Sequence, residues 1–531
     1  EWKRNGQTIP KGGKLSGMDT KTLSIKNLQP EDTGPYTCVV RMSGVAETIE
    51  TLPQTLDIRH KPIVTPRLLD HGIVSGDVNE QISAIHGTTR FTATGLPPGV
   101  TISPSGLLTG RPGKSGKFKA KITATNPAGS SPPVEFEWDI EDFPLAARGT
   151  WTGIVQRESG LNAGLGGRLK ITVSNTGTYT GNLTLGTKTY AWTSRIDALL
   201  NQANPTTPLT LSRGRILTPL TGNILLNLST DRLSGTLSDG SNTATFEAFR
   251  NPWPATNKPV QASTAFNAAL EVPEALALNA AYPQGHGHVK MTVGSTGIVT
   301  WAGKLADATT LTGSSTLGPL GETSFHAMLY SNTGSAQGWS TITLDSGLVD
   351  GTMDWFKSPQ PDKSTTRTYK SGIPLHSLKV RGARYLRPAS LAMILDLDSQ
   401  PATGPLTNNA KLRFTGLPLF TRLDQTFKIT QSLTAVMPTL ILENPQGVRL
   451  SFSATTGTLS GTFSFSDDDP NDSTIPYAKI LRTGTFSGLL VTRPDLNQGI
   501  GYFNLAELPD TAGEKSTATP IVSGQAELIR P

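Results

Sequence analysis

Of the 531 residues only one, Cys38, is a cysteine. A lone thiol cannot close a disulfide within the chain, so cysteine usage leaves the redox compartment open. Charge is sparse. Only 17% of residues are charged, and the 47 basic against 41 acidic side chains give a net +6 with no dense Lys/Arg run. A nucleic-acid binder concentrates its positive charge in a patch, so no nucleic-acid partner is expected. No stretch of about 20 apolar residues occurs, so no transmembrane helix is expected. Nor is there a leader-like segment, although the chain opens at Glu1 without an initiator Met. Catalytic signatures are missing as well. No Gly-x-Ser-x-Gly or His-Glu-x-x-His occurs. Gly110-Arg111-Pro112-Gly113-Lys114-Ser115 has the ending of a phosphate loop, but Leu108 stands where that loop needs its first glycine.

What is present is turn chemistry. Gly (54) and Pro (38) are spread along the whole chain, with Ser, Thr and Asn supplying much of the polarity. That pattern suits many short strands separated by turns. The length implies roughly three to five domains. In the first sixty residues, Leu23-Ser24-Ile25 alternates as a strand and Leu28-Gln29-Pro30-Glu31-Asp32 reads as a turn. Asp32-Thr33-Gly34-Pro35-Tyr36-Thr37-Cys38 follows, with Trp2 far upstream. This D-x-G-x-Y-x-C run resembles the E–F corner and strand F of an immunoglobulin domain. The resemblance implies that Tyr36 forms a tyrosine corner and that Trp2 is the strand C core tryptophan. Asp32 and Cys38 belong to the same structural set. The family's first cysteine and the strands before the tryptophan have no counterpart here. The expectation is that a parent protein supplies them upstream.

Residues 61–143 carry a second signal. Gly95-Leu96-Pro97-Pro98-Gly99-Val100-Thr101-Ile102 leads into Ser105-Gly106-Leu107-Leu108-Thr109-Gly110, with turns at Pro98-Gly99 and Ser105-Gly106. Phe118, Ala120, Ile122 and Ala124 alternate with Lys117, Lys119, Lys121 and Thr123, and Phe136, Trp138 and Ile140 repeat the pattern. The string resembles the putative-immunoglobulin, cadherin-like repeat of large bacterial surface proteins, which implies a β-sandwich used as a spacer or adhesion module.

Beyond residue 144 five segments share one plan: 169–183, 224–237, 289–305, 340–353 and 448–463. Each is an alternating strand, a small polar turn and a second strand containing glycine, most simply a β-hairpin. Gly181, Gly235, Gly303 and Gly461 fit bends that sheet closure needs. Pro-rich stops at Asn251-Pro252-Trp253-Pro254 and Ser358-Pro359-Gln360-Pro361 divide the region. The fold class is therefore all-β: tandem immunoglobulin-like sandwiches, 1–60 and 61–143, then β-meander or barrel-like modules at 144–257, 258–380 and 381–531. This last region resembles β-repeat modules of large bacterial exported proteins. Helical periodicity is confined to Ser194–Asn204.

Several groups invite a chemical reading. His286 and His288 share one face of a strand, where alternation could aim both at a metal, but no third ligand is evident and a solvated edge is the better account. Asp467, Asp468, Asp469 and Asp472 form the densest acidic cluster; it reads as a solvated turn or as a calcium loop, the one cofactor the sequence offers. Lys117, Lys119 and Lys121 make a basic stripe, read as a solvent face or a contact for anionic polysaccharide or lipid headgroups. Trp151, Tyr179, Tyr190, Trp192, Trp301, Trp339 and Trp355 are core aromatics or sugar-stacking platforms. No catalytic or cofactor-binding residue stands out. The functional expectation is a non-catalytic structural or adhesive segment, extracellular or at the cell surface and in one version outer-membrane associated. Its partner would be a protein or a polysaccharide. The alternatives are a carbohydrate-binding module array and a β-rich hydrolase accessory region.

Overall fold

The computed structural model describes residues 1–66, 72–196, 206–215, 217–390, 393–395, 397, 408–416, 419, 421–511 and 514–531. The fold is all-β, and the α-helix among the described residues is one turn, Ser159–Asn162. The helical expectation for Ser194–Asn204 is corrected where it can be followed. Ser194 and Arg195 close the strand Lys188–Arg195, and the positions after Ile196 lie outside the described residues. Two compact units form: residues 1–143, and residues 144–196 with 203–531.

In the first unit, Trp2–Arg4 pairs antiparallel with Gly34–Arg41, which sets Trp2 opposite Cys38 and Arg4 opposite Tyr36. The core here is shallow. Ile9, Tyr36 and Val39 are buried, while Val40, Met42, Ile49 and Leu52 remain exposed. Residues 61–143 contain a fuller sandwich. One sheet joins Arg90–Thr94, Gly116–Asn126 and Val134–Glu141, with Gly72–Ile73 added in parallel. The other joins Val78–Gln81, Leu107–Gly110 and Val100–Ile102. Strand alternation sends Ala120, Ile122, Ala124, Phe136, Trp138 and Ile140 inward, and all six are buried. Gly99 and Gly106 turn the chain at φ of 90° and 89°, where a Cβ is strained.

The second unit holds three eight-stranded antiparallel sheets, here called A (149–250), B (264–384) and C (410–529). In each, the chain meanders from strand to strand and the last strand returns to pair with the first. Thr243–Arg250 pairs with Gly149–Val155, Ile373–Arg384 with Thr264–Glu271, and Ile521–Ile529 with Ala410–Thr415. Each sheet is thereby curled into a ring with one seam. The seam lies between the fourth and fifth strands in A and B, and between the third and fourth in C. Such closure removes most of the edge that a meander would expose. In sheet B the seam is bridged by Ser315 Oγ and Ser324 Oγ, 2.7 Å apart. All five repeat segments are antiparallel hairpins. Inside sheet B sit Phe266, Met291, Trp301, Phe325 and Trp355. Inside sheet C, Phe414, Phe463, Phe486 and Phe503 pack at tilted or edge-on angles with centroids 4.8 to 5.8 Å apart.

Candidate functional site

The residues singled out near the start of the chain meet in one corner. Tyr36 donates its hydroxyl hydrogen to the carbonyl of Asp32 at 2.7 Å, across the short turn Pro30–Asp32. The buried Asp32 carboxylate accepts from the Gln29 amide at 2.9 Å and is flanked by Lys14 and Arg4. Lys14 above all, with the Gln29 amide, holds that carboxyl below its ordinary range. Trp2 Nε1–H donates to the Thr20 carbonyl at 3.0 Å, and Cys38 is a half-buried free thiol. These contacts position backbone.

The four aspartates do not converge, and the calcium reading is corrected accordingly. Asp467 binds Arg482 at 2.7 Å and Asp468 binds Lys479. The two are neighbours in the strand Thr458–Asp468, so they leave from opposite faces. Asp469 accepts from the Asn471 amide, and Asp472 accepts from Thr474 and from the Ala478 amide. Among the described residues, no three His, Cys, Asp or Glu side chains are grouped to hold a metal ion.

His286 and His288 are not a solvated edge. His288 is buried, with Nε2 3.0 Å from Ser487 Oγ and its ring stacked on Tyr502. His286 Nδ1 accepts from the Val272 amide at 3.2 Å. Both point outward from sheet B, but sheet C covers that face. Burial pushes each imidazole down from 6.5 to about 4. The lysine stripe is likewise answered within its own sheet. Lys119 meets Glu135 and Glu137 at 3.1 and 3.4 Å, and Glu135 lies 4.0 Å from Lys121. Arg111 in the phosphate-loop look-alike is engaged by Asp77. Among the aromatics, Trp151, Tyr179, Trp301 and Trp355 are buried, while Tyr190, Trp192 and Trp339 are half-buried.

The groups that organise the second unit escaped the sequence reading. At the B–C junction, Arg493 is almost enclosed. Its Nη1 donates to Val349 O (2.9 Å), Asp350 Oδ1 (2.9 Å) and Gly382 O (3.1 Å), and its Nε to Asp495 Oδ1 (2.9 Å). Arg493, with Arg381, draws the Asp495 carboxyl down to about 2. Asn267 Nδ2 donates across the same junction to Thr456 O and Leu490 O, at 3.1 and 3.0 Å. At the A–B junction, Arg157 donates to Gly164 O and Ser335 Oγ, both at 2.7 Å, and to Asp354 O at 3.1 Å. Burial lowers that guanidinium to about 10.

Within sheet B lies the tightest polar cluster. Asp307 and Lys357 sit 3.9 Å apart with side chains only 1% and 2% exposed. Tyr330 donates its hydroxyl hydrogen to Asp307 Oδ2 at 2.7 Å, and Trp355 Nε1–H donates to the Tyr330 oxygen at 3.0 Å. Lys357 Nζ donates to Thr368 O at 2.7 Å and lies 4.5 Å from the centre of the Tyr330 ring. Burial raises the Tyr330 phenol and lowers the Lys357 ammonium from their usual values. Tyr330, Ser331 and Asn332 adopt left-handed φ of 54°, 53° and 73° in succession, a strain of about 1–2 kcal/mol each at Tyr330 and Ser331. The charged pair is almost wholly enclosed, while Tyr330 is half-buried.

The family model described as "Putative Ig domain" matches residues 69–141, and an immunoglobulin-like domain stands there. That class is generally non-enzymatic. No curated protein matches the chain. Among solved structures, the insect immune protein hemolin shares 22% identity over 26% of this chain and 38% of its own, with a TM-score of 0.19. Sidekick-1 immunoglobulin domains 1–5 share 12% over 59% of this chain and 90% of that one, at 0.19. Transferrin binding protein B of Neisseria meningitidis shares 12% over 79% and 84%, at 0.16. None of the three superimposes on the chain as a whole, and the chain spans well under half of the hemolin structure. Among the described residues no helix is long and apolar enough to cross a membrane.

Proposed function

We propose that the chain is a non-catalytic structural and adhesive segment of a large exported or cell-surface protein of bacterial type. In this reading it is modular, with immunoglobulin-like parts at 1–60 and 61–143 and ring-closed sheets in modules near 144–257, 258–380 and 381–531. The observation that carries the reading is Arg493. One nearly enclosed guanidinium gathers the carbonyls of two sheet B strands and the carboxylate of Asp350 onto a sheet C strand. A buried cation with all its neighbours hydrogen-bonded fixes geometry, because any displacement strands a desolvated charge. Stiff connection between successive sheets is what a spacer requires. The immunoglobulin-like match supports an extracellular setting.

The test is topological. In cells making the parent protein, an epitope inserted at the exposed turn Ser229–Thr230 is expected to label on intact cells and to vanish under external protease. An epitope that appears only after lysis contradicts the reading.

A further inference from the structure

Among the described residues, the outward face of sheet A carries two cations that no carboxylate answers. Arg168 and Lys170 lie on the strand Gly167–Val173, both exposed. They are two residues apart on one face, with Cα atoms about 7 Å apart. Neither forms an ion pair among the described residues. Glu247 on that face, opposite Ile154, is already held by Arg232. The lysine stripe of residues 117–121, by contrast, has its own glutamates.

Both cations open into a groove of about 440 Å³ between sheets A and B, a size typical of ligand sites. Asn182, Thr184 and Thr189 line one wall, and Ser314, Ser315 and Thr316 the other, with no carboxylate on either. Hydroxyls and a carboxamide both donate and accept, as sugar hydroxyls do. No aromatic ring lines the groove, so nucleobases find no stacking platform. Its floor is the face of sheet A, and the Ser314–Thr316 wall belongs to a seam strand tied to Ser324, so an acidic peptide finds no open edge to join as a strand. The cleft between sheets B and C is different. It is lined by Arg367 and Glu507, and the Arg367 guanidinium is engaged by Thr519 O and Ser516 O.

We propose that this groove binds an acidic polysaccharide, with its carboxylate or sulfate groups on Arg168 and Lys170 and its ring hydroxyls on Asn182 and Ser314. The proposal adds a ligand to the spacer reading and does not depend on it: surface labelling tests one, and binding the other.

The experiment is calorimetric titration of the full 531-residue chain with polyuronate, sulfated dextran, neutral dextran and oligothymidylate. Binding is expected for one or both acidic polymers and not for neutral dextran, and the acidic arms tell carboxylate from sulfate. The double variant R168Q/K170Q is expected to weaken it at least tenfold, since each charge-assisted contact is worth about a factor of ten. N182D, which keeps the side chain's size and adds an anion, is expected to weaken it comparably, while the remote K117Q/K119Q is not. Circular dichroism of each variant separates lost binding from lost fold. Absence of binding to both acidic polymers, equal binding of neutral dextran, indifference to R168Q/K170Q and N182D, or binding of oligothymidylate alone would each overturn the proposal.

Discussion

Gly181 stands directly opposite Trp192 in the ladder of sheet A, and the indole occupies the space that a Cβ on residue 181 would need. The relationship recurs as Gly235 with Phe246, Gly313 with Trp301, Gly461 with Phe486, Gly484 with Phe463, and Gly524 with Phe503. Glycine weakens a strand because it packs nothing, and a ring laid over it restores the buried contact. G181A and G235A are therefore expected to lower stability by about 1–3 kcal/mol through overpacking. Denaturant midpoints of the two variants check this; unchanged midpoints would show that the rings move aside freely.

Arg493 gives the second expectation. R493Q leaves the Val349 and Gly382 carbonyls without their donor, at a cost of about 1–3 kcal/mol for each buried acceptor. Hydrogen exchange is expected to quicken along the facing strands of sheets B and C while sheet A stays protected. Uniform exchange across all three sheets would contradict that assignment.

The Asp307–Lys357 pair predicts a non-additive response. Removing one partner by K357M or D307L strands the other charge, at about 3–5 kcal/mol. The double variant is expected to be more stable than either single one. Equilibrium unfolding of the three proteins decides, and simple additivity would mean the pair is not coupled.

Histidine burial sets an acid limit. His286, His288 and His326 are each lowered from 6.5 to about 4, burial being the main cause. An unfolded histidine takes up its proton near pH 6.5, whereas the folded one resists until about 4. Protons thus favour the unfolded chain, so stability is full above pH 6.5 and falls as pH drops from 6.5 towards 4. Each group contributes on the order of 3 kcal/mol at the lower end. Midpoints measured across that window should decline, less steeply in H288Q; a flat profile would contradict the burial.

The sequence made period-two alternation plain, and with it the strands, the hairpins and the corner at Tyr36. It did not reveal which outward faces are covered. His288 alternates outward from sheet B, and outward normally means solvent, yet sheet C lies over it. A trace of this was readable in Ala265-Phe266-Asn267-Ala268-Ala269-Leu270, where small apolar residues sit on both faces of one strand, as they do in strands buried on both sides. The roles of Asn267 and Arg493 across the B–C junction were invisible because they rest on backbone carbonyls more than a hundred residues away. The aspartate cluster misled for a related reason: composition shows four carboxylates close in sequence but not the opposite directions in which Asp467 and Asp468 leave the strand.

The most direct test of the bolted spacer is force. A single 531-residue chain held at its two ends should show sheets B and C giving way together, releasing about 900 Å of contour in one event, and R493Q should split that event into two of about 450 Å. Separate yielding of sheets B and C in the unaltered chain would contradict the account.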